Sequence, residues 1–217
     1  IRDELLDKQL RDTSSSANNY SSQYEWMRKI ENIFNDPSEN SLNNSLGEYW
    51  ESWSQLSSSP EDYSTRTNLI TKTQRLADLI QNVHQKLSNL EQESEEQLAI
   101  MVNSVNGISE EIAQLNKNIF EIEAGQSQQA NDLRDQRDAA LDSLSEYLDI
   151  SYSKNTNGMV NVYVDSHPIV LQNNAEKMLS ENDPSDTSKI RLVWEYGEIV
   201  KDPSGGSLSG ILSIRDK

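Results

Sequence analysis

The chain has 217 residues, no cysteine, and 36 acidic against 19 basic residues, which gives a net charge of −17. Only 34% of the residues are hydrophobic, which favours an elongated helix-rich body over a globular enzyme. The missing cysteine excludes disulfides, thiolate nucleophiles and cysteine-based metal sites. The acidity argues against nucleic acid and anionic membranes as partners, because both require clustered Lys and Arg.

The charge and the apolar pattern both change near Ile150. Residues 1–149 carry 12 basic and 27 acidic residues, whereas residues 150–217 carry 7 and 9. Before this point apolar residues recur every three or four positions, and after it they form short β-branched clusters. We predict a mainly α protein with a small β part (α+β). Its domains would be an elongated helical bundle at 1–149 and a β-rich segment at 150–217, which would belong to a larger domain.

The first two predicted helices cover residues 2–34 and 41–56. Between Asp12 and Ser22 the first is rich in Ser and Asn, so this segment could be a surface helix or a break. The sequence Asn35-Asp36-Pro37 predicts the end of the first helix. In the second, Trp50 and Trp53 lie on one apolar stripe, and we expect them to anchor a helix–helix contact.

The third predicted helix, residues 61–124, carries a heptad pattern typical of a coiled coil. Apolar residues follow it up to Leu90, two steps of four through Ser94 form a stutter, and the pattern resumes at Leu98 and continues to Ile122. A helix of this length needs partner helices along its apolar face. We therefore expect a long antiparallel bundle or coiled-coil rod.

A loop at residues 125–129 precedes a fourth predicted helix at residues 131–148. Asn131 or Asp132 is expected to cap this helix, and Leu133 lies on its apolar face. Arg137 follows Leu133 by four positions, so we expect it to be buried beside a carboxylate partner. An antiparallel β-meander then follows, with predicted strands at residues 150–153, 159–164, 169–171, 190–194 and 199–200.

No residue pattern indicates catalysis, a metal or a cofactor. His84 and His167 lack ligand spacing, and His167 precedes a proline in a predicted turn. The acidic run from Glu91 to Glu96 reads as a solvated helix face, because it has no EF-hand pattern. Nucleophile elbows and phosphate-binding glycine loops are also absent from the sequence.

Several blocks of the sequence resemble the bacterial flagellar hook-associated protein 1 family. The first is IENIFNDPSENSLNNSLGEYWESWSQLSSSPED, residues 30–62, with its Trp-x-x-Trp pair. ISEEIAQLNKNI at 108–119, NDLRDQRDAALDSLSEYLDI at 131–150 and GGSLSGILSIRDK at 205–217 follow in the same order. The Trp50/Trp53 and NDLRDQRD blocks are the most specific parts of the resemblance.

The resemblance implies a structural axial protein at the junction between flagellar hook and filament. Its implied partners are hook subunits, the neighbouring junction protein, other copies of itself and an export chaperone. The implied location is extracellular, and the charged N-terminus does not resemble a cleavable signal peptide. The chain starts at Ile1 rather than Met, so we expect a central fragment without the family's two terminal segments.

Two alternatives remain open at the level of the sequence. The chain could be part of flagellin or of a neighbouring junction subunit of the same axial class. It could also be a helical surface adhesin or binding module, with Tyr152, Tyr163, Trp194 and Tyr196 as a binding platform. We favour packing between the sheet and its neighbours for these four aromatic residues.

Overall fold

The computed structural model describes residues 4–34, 41–124, 130–200 and 203–216. Its helices are α1 (Glu4–Phe34), α2 (Leu42–Ser58), α3 (Tyr63–Glu123), α4 (Asn131–Tyr147) and α5 (Gly206–Arg215). Its strands are β1 (Ile150–Lys154), β2 (Val160–Val164), β3 (His167–Leu171), β4 (Asn174–Ala175), β5 (Met178–Asn182) and β6 (Ile190–Trp194). The predicted mainly α fold with a small antiparallel β part is confirmed.

The chain divides into two compact units. The first comprises Ile1–Glu25 and Ser94–Lys217, and the second comprises Trp26–Glu93. The predicted boundary at residue 150 falls inside the first unit. There, side chains of α3 form hydrogen bonds with β2 and β5, so helices and strands share one core.

Helix α1 is continuous through the Ser- and Asn-rich segment between Asp12 and Ser22. The sequence allowed either a surface helix or a break there. The side chains of Thr13, Ser16 and Asn18 each donate a hydrogen bond to the carbonyl four residues earlier, at 2.7, 3.0 and 2.9 Å. These polar groups are therefore satisfied within the helix. The predicted stop at residues 35–37 and the predicted loop at 125–129 lie outside the described residues.

In the second unit, polar side chains define where the helices begin. The hydroxyl of Ser41 caps α2 by accepting from the backbone N–H of Asn44. The carboxylate of Asp62 accepts from the N–H of Ser64 at 2.8 Å, at the start of α3. Among the described residues of this unit, Trp26 and Leu76 are the buried apolar side chains. The helical starts predicted from the sequence are thus correct to within two residues.

The C-terminal half of α3 supplies much of the core of the first unit. Leu98, Val105, Ile112 and Ile119 follow the heptad pattern and are almost fully buried. The heptad pattern of α3 ends at Ile122, which is 43% exposed. Buried strand residues from the same unit, Val162 and Val170 among them, complete this core.

The strands form a four-stranded antiparallel meander, β1-β2-β3-β4, and a separate β5-β6 hairpin. Asp165 and Ser166 both have positive φ in the two-residue connection between β2 and β3, as a type I′ turn requires. The turn therefore precedes His167, which is the first residue of β3, and the predicted turn at His167 is wrong. Strand β5 was not predicted, because three of its five residues are polar and four are exposed.

Helix α5 packs against α1 and the end of α4. It was not predicted, because the pattern after residue 150 indicated only strands. Gly206 begins it with φ of +67°, and a Cβ there would overlap the Tyr147 carbonyl. A Cβ at Gly210 would lie 2.6 Å from the carbonyl oxygen of Asn19. The hydroxyl of Ser22 donates to the carbonyl of Ser207 at 3.0 Å. Small residues on α1 and glycines on α5 thus permit this close approach.

Candidate assembly site

Within the first unit, α1 exposes a regularly spaced apolar face. Leu6, Leu10, Tyr20 and Tyr24 are 63%, 62%, 71% and 66% exposed. Their spacing fits a heptad. The two heptad positions between Leu10 and Tyr20 are occupied by Thr13 and Ala17, which are also exposed. The buried face of this part of α1 is polar, with Arg11, Ser15 and Ser22 nearly inaccessible to solvent. We call the exposed row Leu6, Leu10, Tyr20 and Tyr24 the α1 seam.

Trp50 and Trp53, the predicted anchors on α2, are 65% and 46% exposed. Neither indole ring is buried among the residues that the structure describes. Ser45 and Ser52, seven residues apart, form the buried face of α2 instead. Large indole rings project from the exposed side, where Tyr49 makes edge contacts with both at centroid distances of 5.2 and 6.4 Å. The two tryptophans thus form an exposed aromatic surface in the second unit.

Arg137, the predicted polar anchor on α4, is only 3% exposed, whereas Leu133 is half-buried. Nη1 of Arg137 donates to Oδ1 of Asn116 at 2.9 Å and to the Gly158 carbonyl at 3.0 Å. The expected carboxylate partner is therefore wrong, since both acceptors are neutral. Burial lowers the pKa of Arg137, and the nearby charge of Asp138 offsets part of that effect.

Asn116 is the central residue of this polar cluster, and the sequence analysis missed it. Its Nδ2 donates to the carbonyls of Val160 at 2.7 Å and Gln172 at 2.5 Å. Its Oδ1 accepts from the Val160 N–H at 3.0 Å in addition to Arg137. The amide thus joins α3 to α4 and the sheet. One sequence feature could have indicated this role: Asn116 is a poor helix former and directly follows Leu115, an apolar position of the heptad pattern.

A second asparagine on α3 contacts the hairpin in a similar way. Nδ2 of Asn106 donates to the Met178 carbonyl and Oδ1 accepts from the Met178 N–H, both at 2.8 Å. This pair of bonds satisfies the backbone of a fully buried strand residue. Asn106 and Asn116 together fix both sheets to one helix.

Glu95 corrects the expectation that the whole acidic run of α3 is solvated. Its carboxylate accepts from the Ile190 N–H at 2.7 Å and forms an ion pair with Arg215 at 3.4 Å. The side chains of Glu95 and Arg215 are only 11% and 10% exposed. This carboxylate therefore connects α3 to β6 and α5.

Glu123, at the end of α3, caps the N-terminus of α4. The helix has Ala130 at its cap position, so neither Asn131 nor Asp132 provides the predicted cap. Instead, Glu123 accepts from the Ala130 N–H at 3.0 Å and from Nη2 of Arg134 at 2.7 Å. The hydrogen bonds from Arg134 and Ala130 lower the pKa of the Glu123 carboxyl.

The aromatic residues of the strands do not form a common exposed platform. Trp194 is 4% exposed and stacks on His167 with a centroid distance of 4.3 Å. Tyr152 and Tyr163 are half-buried, and Tyr196 is 86% exposed. His84 is exposed on α3.

The described part of the chain offers neither a metal-binding cluster nor a membrane-spanning helix. Residues 4–34, 41–124, 130–200 and 203–216 contain no group of three His, Asp or Glu side chains arranged to hold a metal ion. None of the described helices has the length and apolar content needed to cross a membrane.

Comparison with known proteins identifies one family. Residues 27–217 match the model described as the flagellar hook-associated protein FlgK helical domain. Flagellar hook-associated protein 1 of Bacillus subtilis is 31% identical over 158 residues, which are 73% of this chain and 31% of that protein. The Salmonella typhimurium protein of the same name is 28% identical over 99% of this chain and 40% of its own length.

A solved structure has the same fold. The flagellar hook junction protein FlgK from Burkholderia pseudomallei superposes with a TM-score of 0.87 and 24% identity. The match covers 97% of this chain and 39% of that protein. The chain thus spans less than half the length of these relatives.

Proposed function

Because the chain belongs to the flagellar hook-associated protein FlgK family, we propose that it is part of a structural axial component of the bacterial flagellum. The full protein would form the junction between hook and filament by non-covalent helical assembly. Its partners would be hook subunits, the neighbouring junction protein, other copies of itself and an export chaperone. It would act outside the cell, without catalysis.

The observation that carries this proposal is the exposed α1 seam. Leu6, Leu10, Tyr20 and Tyr24 occupy heptad positions on a chain that is otherwise strongly polar, with a mean hydropathy of −0.77. Exposed apolar rows at coiled-coil spacing are typical of helices that pack against further helices. Helical segments of the full-length protein or of neighbouring subunits would cover this seam.

Repeated packing of such surfaces is a sufficient mechanism for assembly. Each contact between long helices contributes a modest free energy, and symmetry repeats it in every subunit. Heterologous contacts that do not close into a ring produce helical assemblies. No chemical step is needed for this role.

Deletion of the gene in its source bacterium tests the proposal. We expect cells that retain hooks but lack attached filaments, with motility restored by the gene supplied in trans. Cells that still carry full filaments on their hooks would contradict the proposal. A complementing gene with Tyr20→Ser and Tyr24→Ser should restore filaments less well than one with Ser16→Ala, an exposed change off the seam.

A further inference from the structure

The connection between β1 and β2 contains one of the two Asn-Gly pairs in the chain. The pairs are Asn106-Gly107, within α3, and Asn157-Gly158, in this connection. Glycine has no side chain to shield its backbone nitrogen, so in such a pair that nitrogen can attack the amide of the preceding asparagine. Both pairs have the same intrinsic chemistry, and their surroundings in the folded chain decide which one reacts.

Asn157 and Gly158 lie in a surface turn that is closed by two backbone hydrogen bonds. The Gly158 N–H donates to the Asn155 carbonyl at 3.0 Å, and the Asn155 N–H donates to the Met159 carbonyl at 2.8 Å. Asn157 is exposed, and Gly158 has a φ of +83°. Opening a surface turn costs much less free energy than opening a buried helix or strand. The Gly158 nitrogen is therefore released from its hydrogen bond far more often than an amide in the core.

The side chain of Asn157 is folded back along the main chain toward this nitrogen. Its Oδ1 accepts a hydrogen bond from the Met159 N–H at 3.2 Å. This bond to the second following residue is an Asx turn, and it holds Cγ of Asn157 beside the backbone nitrogen of Gly158, the residue in between. An N–H directed at Oδ1 also stabilises the negative charge that attack on Cγ places on this oxygen. The turn thus presents the reacting carbon to the attacking nitrogen.

Asn106 is restrained in a way that prevents the same reaction. Both polar atoms of its amide form hydrogen bonds with the backbone of Met178, each at 2.8 Å. The nitrogen of Gly107 lies inside α3, where the helical hydrogen bonds fix the backbone. Attack at Asn106 would require α3 to open and the bonds to β5 to break, which costs far more than opening a turn.

We propose that Asn157 is a site of spontaneous deamidation and that the fold protects Asn106 from it. The Gly158 nitrogen gives its proton to water and forms a bond to Cγ of Asn157, and Nδ2 takes up a proton and leaves as ammonia. Water then opens the resulting succinimide ring at one of its two carbonyls, which gives aspartate or isoaspartate at position 157. The reaction needs no enzyme, oxidant or reductant, and the inference does not depend on the proposed function.

The isoaspartate product should weaken the packing of this turn against α4. The Gly158 carbonyl accepts from Nη1 of Arg137 at 3.0 Å, and a Cβ added at Gly158 would lie 3.6 Å from Nη2 of Arg134. Isoaspartate adds one carbon to the main chain directly before Gly158, which displaces this carbonyl from the buried arginine. Protein that carries isoaspartate at position 157 should therefore unfold at a lower urea concentration than intact protein.

Asn157→Ser tests the effect of the product on stability. Serine can accept a hydrogen bond from the Met159 N–H as asparagine does, but it has no amide and cannot form the succinimide. Incubation at pH 8 should lower the urea midpoint of the full-length protein and leave that of the Asn157→Ser variant unchanged. Asn173→Ser, at an exposed asparagine in another turn of the same sheet, is the matched control and should show the same loss as the original protein. An equal loss in the Asn157→Ser variant would overturn the predicted effect on the fold.

Peptide mapping by mass spectrometry identifies the reacting asparagine in the full-length protein. During incubation of the folded protein at pH 8, Asn157 should deamidate more than about tenfold faster than Asn106, with isoaspartate detected by enzymatic methylation. In protein unfolded by guanidinium the two asparagines should react at similar rates, because only the local sequence then acts. Equal rates in the folded protein, no reaction at Asn157, or a tenfold difference that persists after unfolding would each overturn the proposal.

Discussion

At the scale of single residues, the burial of Arg137 was predicted from the sequence, whereas its partner Asn116 was not. The spacing from Leu133 indicated the position of Arg137 on the buried face of α4, and the residue is indeed 3% exposed. The same reasoning assigned it a carboxylate, because a local pattern cannot show which distant group lies opposite. The acceptors are Oδ1 of Asn116, 21 residues away, and the Gly158 carbonyl in a turn. Tertiary hydrogen bonds of this kind have no periodic signal.

Replacement of Asn116 by leucine should be strongly destabilising. The change keeps the volume similar but leaves the Val160 N–H and Nη1 of Arg137 without their acceptor, and two carbonyls without their donor. We expect a loss of about 3 kcal/mol in the free energy of unfolding, measured with urea. Asn103→Leu, at an exposed position of the same helix, should change it by less than about 0.5 kcal/mol. A similar loss for both variants would mean that the buried cluster contributes nothing specific.

The cap formed by Glu123 should make the stability of the first unit depend on pH. Hydrogen bonds from Arg134 and Ala130 lower the folded-state pKa of Glu123 below its ordinary value of 4.5. The resulting stabilisation is fully present above about pH 4.5 and disappears as the pH falls through the lowered folded-state value. Glu123→Gln should therefore cost about 1 kcal/mol at pH 7 and less at pH 3, as measured by urea unfolding at each pH.

The control for this pH dependence is Glu121→Gln. Glu121 is exposed and lies 4.0 Å from Lys117 in an ion pair along the helix surface. That substitution should produce a small change that varies little between the two pH values. A cost of Glu123→Gln that persisted undiminished at pH 3 would refute the role of its charge in capping α4.

At the scale of elements, helices with strong periodicity were predicted well and short polar strands were not. The limits of α2, α3 and α4 differ from the predicted ones by no more than two residues, because apolar spacing and caps are local signals. Strand β5 and helix α5 lack such signals. β5 is exposed at four of its five residues, and α5 depends on glycines that fit against α1 and α4.

Gly210 should be a position where alanine destabilises a helix. A Cβ there would lie 2.6 Å from the Asn19 carbonyl oxygen and 2.7 Å from Cβ of Ser22, which would force α5 away from α1. We expect Gly210→Ala to cost about 1 to 3 kcal/mol in the free energy of unfolding. Gly107→Ala, on α3 with no atom near the added methyl group, should instead stabilise by about 0.5 to 1 kcal/mol. Thermal unfolding should give shifts of opposite sign, and two stabilising shifts would refute the close packing of α5.

At the scale of the whole molecule, the low apolar content has two explanations in the structure. Part of the core is small or polar, as with Ser15 and Ser22 on α1, Ser45 and Ser52 on α2, and Asn116 on α3. Conversely, several large apolar side chains that the sequence analysis assigned to the interior lie on the surface. Periodicity identifies an apolar face but does not distinguish a face buried within one chain from a face buried by another. The Trp50/Trp53 stripe belongs to the second kind if the proposed assembly is correct.

The two classes of tryptophan should therefore respond differently to substitution. Trp26 is 5% exposed and its ring lies 4.0 Å from Nζ of Lys29, so Trp26→Ala should cost about 3 to 5 kcal/mol in the isolated chain. Trp53 is 46% exposed, and Trp53→Ala should cost less than about 1 kcal/mol by the same urea titration. In the full-length protein, however, Trp53→Ala should reduce the number of filaments per cell, because the indole would be buried only on assembly. A fully assembled flagellum with Trp53→Ala would show that this surface takes no part in the contacts between subunits.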